Sequence, residues 1–524
     1  MDKTRAGPTY ANLTRVIKIV KQVFFAGSGA SGENDDGEEK KQEAKKDKTQ
    51  AIASILLSNA GEYKRLLEFF CQEVPKLILK LCSVAEKVPK EGQTFDLKKI
   101  YGHLSSKQQL LLKTYSANFN KLLSQTLEEG ADSSFISEFL VSGPAVAQCC
   151  LPYGLYRKKL AGNCAKICAQ YSKMSEGAQM LSQQIVRALL MWFMQQVGST
   201  KKDSTLFEFT IKRFYNDFTL ESKSGGGGFQ VQDRIRVAQN CFVDLLGLDL
   251  PTGYQMGFLY IRQLCLHLRG IRNNLTKDGV KNIYSWQFYN CIKLWVLAVT
   301  EHQSELSLLI HPLVQLGIGA VRLSNNPKYF PFHVKIVQLL TLINEKTKQF
   351  VPIAQYLLYP FDPATDFLNG KPKQLLQDKA IPDTLVSLKY AKKHAETADV
   401  KDRVIREVIE ELTIYYAANS RLISFPEAVV PIGVVLRKFK KNTHNGNYRK
   451  IVAAFLDLLK KNEDYIIQKR TQMREKAIKN LTAMLQSFES YFAPDERTPL
   501  EKEKDNIIKR RSEYYKNKIQ AVSK

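Results

Sequence analysis

Along almost the whole chain, apolar residues return at steps of three and four and strict alternation is rare, so the pattern predicts helices and an all-α body. In residues 331–345, Phe332, Ile336, Leu339, Leu340 and Ile343 share one face. A polar turn at 346–349 follows, and Pro352 suits the first turn of a next helix, where its missing N–H costs nothing. That order predicts a helix hairpin. Residues 402–416 follow the same logic, with Val404, Ile405, Val408, Ile409, Leu412 and Tyr415 inward, and Ser424 is placed to cap a helix containing Pro426. Helix pairs joined by polar turns over hundreds of residues are what an α-solenoid of HEAT or armadillo type requires. No clean repeat period is present, so the expected architecture is an irregular solenoid.

Three stretches interrupt the pattern. Residues 27–48 run from glycine and serine into acidic and basic blocks with nothing apolar to bury, which predicts a disordered linker behind a short amphipathic piece at 14–25. Residues 222–229 hold four consecutive glycines, and 361–379 are rich in Asp, Pro, Gly and Lys. The expected organisation is 1–49 as amphipathic piece plus linker, 50–221 as an N-terminal helical region, 229–436 as a central helical-repeat region, and 437–524 as a basic helical C-terminal region.

The most specific segment is 258–269, FLYIRQLCLHLR. Its periodicity turns Phe258, Ile261, Cys265 and Leu268 inward, while Arg262, Gln263 and Arg269 ride off that stripe. Helix burial accounts for the apolar residues and leaves the polar ones unexplained. Tyr260, His267, and Trp286 with Gln287 in the later YSWQ stretch complete a candidate partner-contact set, with Leu294-Trp295 following. Further stretches run in order: 207–215 (FEFTIKRFY), 329–333 (YFPFH), 350–354 (FVPIA), 424–427 (SFPE) and 498–502 (TPLEK). Together these resemble the nucleolar complex protein 2 family from about 206 to 516, with Ser285 and Phe332 standing where other residues are common. The resemblance implies a helical scaffold in assembly of the large ribosomal subunit. It also implies a heterodimer with a nucleolar complex subunit one or subunit three homologue, and action on the pre-60S particle and its pre-rRNA in the nucleolus and nucleoplasm.

Composition points the same way. The 524 residues exceed the size at which one core stops growing, and a net charge of +25 predicts attraction to polyanions, nucleic acid first and an anionic membrane surface as its competitor. From Arg437 to Lys524, 22 Lys or Arg stand against 11 Asp or Glu, so this segment carries +11 of the +25. Candidate RNA contacts are Arg437, Lys438, Lys440, Lys441, Arg449, Lys450, Lys509, Arg510 and Arg511, with aromatic residues interleaved. Each cluster alone also reads as a solvated helix face, and the last as a nuclear address. A nuclear transport receptor would share the helical fold, but one carrying basic cargo needs an acidic inner surface. A general RNA-binding adaptor is the other alternative.

No catalytic, metal or cofactor site is expected. The GxGxxG of 27–32 runs into an acidic stretch that would repel phosphate. Cys164 and Cys168 with Cys149 and Cys150 lack zinc spacing, and the seven histidines form no nucleophile arrangement. Nine cysteines, an odd number spread through apolar segments, predict reduced thiols. The start has no apolar secretory core, and 139–156 is too broken by Gly and Pro to span a membrane, so neither membrane nor small-molecule substrate is expected.

Overall fold

The computed structural model describes residues 9–25, 60–84, 101–129, 143–169, 204–224, 229–324, 326–362, 367–370, 386–476 (apart from 392, 393, 395 and 396) and 488–522 (apart from 489–491 and 494). The described residues are all-helical, without strands. The expected linker at 27–48 and the glycines at 225–228 lie outside them. Two compact units form: Met1–Ser224 with Asp233–Met256, and Gly225–Gln232 with Gly257–Lys524.

In the first unit, α1 (Tyr10–Phe25) buries Leu13, Ile17 and Val20. Helices α2 (Ala60–Glu68) and α3 (Val74–Leu81) are joined through a π turn, Phe69–Glu73. Phe70 of that turn meets Tyr115 and Phe119 of α4 (Ser106–Glu129), with ring centroids 5.1 and 6.4 Å away. Ser105 and Gln108 cap α4 reciprocally: each backbone N–H donates to the other's side chain, at 2.9 and 3.4 Å. Helix α5 (Gly154–Ala169) presents Ala161, Ala165, Cys164 and Cys168 inward and packs closely on α6 (Ser204–Ser224). Burial raises the thiol pKa of Cys149, Cys150 and Cys164, keeping them protonated small hydrophobes. Helix α7 (Phe229–Leu246) follows the glycine stretch.

Helix α8 (Leu250–Asn273) begins in the first unit, and its signature segment, 258–269, lies wholly in the second. A Cβ at Gly257 would lie 2.7 Å from Leu309 Cδ1 and 3.1 Å from the Trp295 ring, so only glycine lets this helix approach so closely. Tyr260 stacks on Trp295 at 6.2 Å, and Ile261, Leu268 and Ile271 are buried. The expected stripe is rotated: Cys265 is half-buried and Phe258 is 50% exposed. The buried arc centres between Tyr260 and Leu268, and Phe258 falls beyond its edge.

Helices α9 (Lys277–Ile283) and α10 (Trp286–Glu301) are each capped by the preceding hydroxyl: Thr276 accepts from Gly279 N–H and Ser285 from Phe288 N–H. Next come α11 (Gln303–Leu306), a 3₁₀ turn, and α12 (Ile310–Arg322). Residues Gln303–Arg322 are long and apolar enough to cross a membrane by composition alone, but over half of that window is buried within the protein. The packing partners are α10 and α13 (Phe330–Thr347), which makes this a core helix.

After α13, Lys348 takes the left-handed conformation (φ 57°) and the expected helix hairpin does not form. Two 3₁₀ turns, Ala354–Leu357 and Tyr359–Phe361, replace the second helix. The reason is tertiary. Side chains fix Val351, whose N–H donates to Asn344 Oδ1 (3.0 Å) and whose carbonyl accepts from Tyr415 OH (2.8 Å), and Pro360 removes a further donor.

Helix α14 (Ala398–Ala418) buries Val404, Ile405, Val408, Leu412 and Tyr415 as expected, with Ile409 only half-buried, and packs on α13. Ser424 precedes α15 (Phe425–Ala428), but its side chain makes no cap bond. Helix α16 (Val430–Asn442) follows, so the expected boundary at 436/437 falls inside a helix. The long α17 (Gly446–Lys476) and α18 (Pro499–Val522) both return to pack on α14.

Candidate nucleic-acid interface

The basic C-terminal segment divides into two surfaces of opposite character. The first is where α16 gives way to α17. Ile432, Leu436 and Phe439 are buried, with Phe439 set edge-on to Phe361 at 4.9 Å, and this fixes the outer face of α16. Val434, Arg437, Lys438, Lys440 and Lys441 line a groove of about 770 Å³ together with Arg449 from the first turn of α17. Arg449 is held in place by Nε donating to the Thr443 carbonyl at 2.8 Å. Asn445 Oδ1 accepts from the Asn447 and Tyr448 N–H groups at the head of α17. Tyr448 is buried, and burial first and the nearby Asp402 carboxylate second raise its pKa, so the turn carrying Arg449 and Lys450 is anchored by a packed aromatic ring.

All six cations, Arg437, Lys438, Lys440, Lys441, Arg449 and Lys450, are exposed, and none makes an ion pair among the described residues. A concentration of unpaired cations in a concave surface attracts a polyanion and gains by releasing its counterions.

The second surface is the outer part of α18. Arg511 donates from Nε and Nη2 to Glu410 (3.0 and 2.7 Å) and from Nη1 to Glu411 (2.7 Å). Glu411 is 1% exposed and also accepts from Gln338 at 2.7 Å. Arg510 pairs with Glu503, leaving Lys509 as the exposed cation of the trio without an ion pair here. The Thr498–Glu501 motif is a capping box: Thr498 N–H donates to Glu501 (2.9 Å) and Glu501 N–H to Thr498 (3.2 Å), with Pro499 at the first helical position. Glu501 also pairs with Arg421, and Lys504 with Glu345. Arg511, Glu501 and Lys504 fasten α18 to the core, whereas Arg510 stays exposed and pairs only within its own helix.

The signature residues also divide. Arg262, Gln263, His267 and Arg269 are exposed on α8, the His267 ring facing Phe288 at 6.4 Å. Tyr260 is buried; Trp286 and Gln287 are half-buried, with Lys335 Nζ 5.4 Å from the Trp286 ring centre. Motifs far apart in sequence meet: Tyr284 stacks on Tyr329 at 4.1 Å and sets its edge against Phe332 at 4.8 Å. His333 sits beside them, its pKa pushed down to about 4 by burial, partly offset by the Ser324 backbone. Sequence reasoning missed Phe258, Leu259 and Leu266 as exposed residues. Apolar periodicity alone assigns such residues to the core, and only the rotation of the helix reveals them.

Among the described residues no group of three or more His, Cys, Asp or Glu could hold a metal ion. What remains is a strongly basic chain, all-helical among the described residues, with an open cationic groove. Residues 205–506 match the model of the Noc2p family, and the chain belongs to that family. It is similar to nucleolar complex protein 2 of Drosophila melanogaster, 29% identical over 272 residues, which cover 52% of this chain and 35% of that protein. Nucleolar complex-associated protein 2 of Arabidopsis thaliana is 30% identical over 237 residues, 45% of this chain and 30% of its own length. An uncharacterized NOC2 family protein of Schizosaccharomyces pombe is 28% identical over 281 residues, 52% of this chain and 39% of that one. The chain thus matches less than two-fifths of the length of these relatives. In keeping with them it is a protein of the nucleus and nucleolus.

Proposed function

We propose that this chain is a non-catalytic scaffold in ribosome biogenesis, built as an irregular α-solenoid. It pairs with a nucleolar complex subunit one or subunit three homologue and supports assembly and intranuclear transport of large-subunit precursors. The groove of Arg437, Lys438, Lys440, Lys441 and Arg449, with the exposed Lys450 next in sequence, rests on the pre-rRNA backbone, and no bond is made or broken there. The observation that carries the RNA contact is the set of exposed cations without ion pairs around one groove. Membership in the Noc2p family supports the nucleolar setting. Backbone contact of this kind is sequence-independent and salt-sensitive, which suits a scaffold that leaves sequence reading to others.

Affinity purification of the tagged chain from nucleolar extract is expected to enrich large-subunit precursor rRNA together with a subunit-one or subunit-three homologue. Recovery of a transport GTPase without precursor rRNA would overturn the reading in favour of a transport receptor.

A further inference from the structure

The outward face of α8 is unusual for a surface helix. Phe258, Leu259 and Leu266 are 50%, 36% and 52% exposed. At 100° per residue they fall in one arc with Arg262, Gln263, Arg269 and Gly270, all exposed. The 24 residues of α8 include three arginines and no Asp or Glu. Arg262, Arg269 and Arg272 therefore lack the carboxylates that surface helices supply one turn away, and they make no ion pair among the described residues. The helix cannot turn this arc inward, because its opposite face is locked by Gly257 against Leu309 and Trp295 and by Tyr260 on Trp295.

We propose that this face docks an acidic amphipathic helix of a partner protein, a deeper statement of the partner contact that rests on the scaffold reading above. Apolar side chains of the incoming helix would lie over Phe258, Leu259 and Leu266, which span about 12 Å along α8. Asp or Glu residues of the incoming helix would meet Arg262 and Arg269, which are two turns apart and lie between Phe258 and the two leucines around α8. An RNA strand would satisfy the arginines but leave the aliphatic side chains in water, so the pairing of apolar stripe and unpaired arginines favours protein.

The test uses the full chain, a co-expressed subunit-one or subunit-three homologue, and a synthetic helical peptide with Leu at two-turn spacing flanked by Glu. Leu259→Ser with Leu266→Ser, and Arg262→Glu with Arg269→Glu, are expected to weaken binding of partner and peptide at least tenfold without lowering the melting temperature. Gly270→Gln separates docking from folding: a Cβ there meets nothing within 4 Å, so the fold keeps its melting temperature while the added bulk weakens docking. A Lys-for-Glu version of the peptide should fail on the wild type and recover on the Arg-to-Glu variant. If neither homologue binds the wild type but the peptide arm behaves as stated, the scaffold reading fails and the docking face stands. The docking face is overturned if partner binding is intact in every variant, or if the peptide ignores the wild type. It is equally overturned if the variants lose only single-stranded RNA or anionic vesicles.

Discussion

The groove between α16 and α17 and the basic run on α18 are nearly indistinguishable as strings of Lys and Arg, yet Arg511 of that run has a fate opposite to that of the groove cations. At the groove, Lys438, Lys440 and Lys441 project from a helix whose other face is buried, and no carboxylate neighbours them closely enough to pair. On α18, Arg511 lands on Glu410 and Glu411 of α14, so its charge is consumed inside the protein. Whether a basic cluster faces a partner or the core depends on the sign of the surface it packs against, a property of tertiary structure. Two mutational experiments sharpen this difference, the first on stability and the second on affinity.

Arg511→Ala strands Glu411, which is 1% exposed, with only Gln338 as a neutral partner. Breaking one side of a buried pair costs about 3–5 kcal/mol, and the expected result is a loss at the lower end of that range because Glu410 is partly solvated. Chemical denaturation measures it, and the RNA-binding salt dependence should be unchanged. Lys438→Glu with Lys440→Glu and Lys441→Glu should do the reverse. The fold keeps its melting temperature, while the slope of log affinity against log salt flattens by roughly 2–3, at about 0.7–0.9 for each phosphate no longer neutralised. Swapped outcomes, with the groove variant unfolding and Arg511→Ala losing RNA, would reverse the assignment of the two surfaces.

The all-helical body was legible because its apolar steps repeat, and so was the inward face of α14, where Val404, Val408, Leu412 and Tyr415 are buried. The Thr498–Glu501 cap was present as a motif, since a capping box is local chemistry. The helix hairpin after 349 was not legible. Its failure depends on Asn344 and on Tyr415, a residue 64 positions from Val351, and no local pattern reports so distant a donor. Phe258 illustrates a subtler limit. Its spacing fits the inward stripe within one position, and the exact rotation of α8 is set by Gly257 meeting Trp295 and Leu309. The basic clusters show the same limit in charge: the net +11 was right, but the partners of each cation are not written in a net charge.

The smallest expected effect concerns how α18 is tethered, through its leading loop. Glu496 accepts from Lys469 Nζ, from Tyr465 OH and from the Ala493 N–H, and these bonds, Lys469 first, hold its carboxyl down from 4.5 to about 2. A folded-state pKa below the unfolded value means that the unfolded chain binds the proton more readily between the two. The contribution is therefore fully present above about pH 4.5 and is lost as pH falls toward 2. Glu496→Gln keeps an acceptor oxygen but removes the charge. It should cost about 1 kcal/mol at neutral pH, after allowance for solvent around a pair that is only partly buried. Its stability should also decline less steeply than wild type on the acid side of pH 4.5. Denaturation midpoints taken at several pH values from 7 to 3 check both points, with RNA binding at neutral pH as the control. Superimposed acid limbs would mean that the Lys469 and Tyr465 contacts do not hold this carboxylate in solution. A loss of RNA affinity in the same variant would mean that the tethered end of the chain and the open groove are coupled.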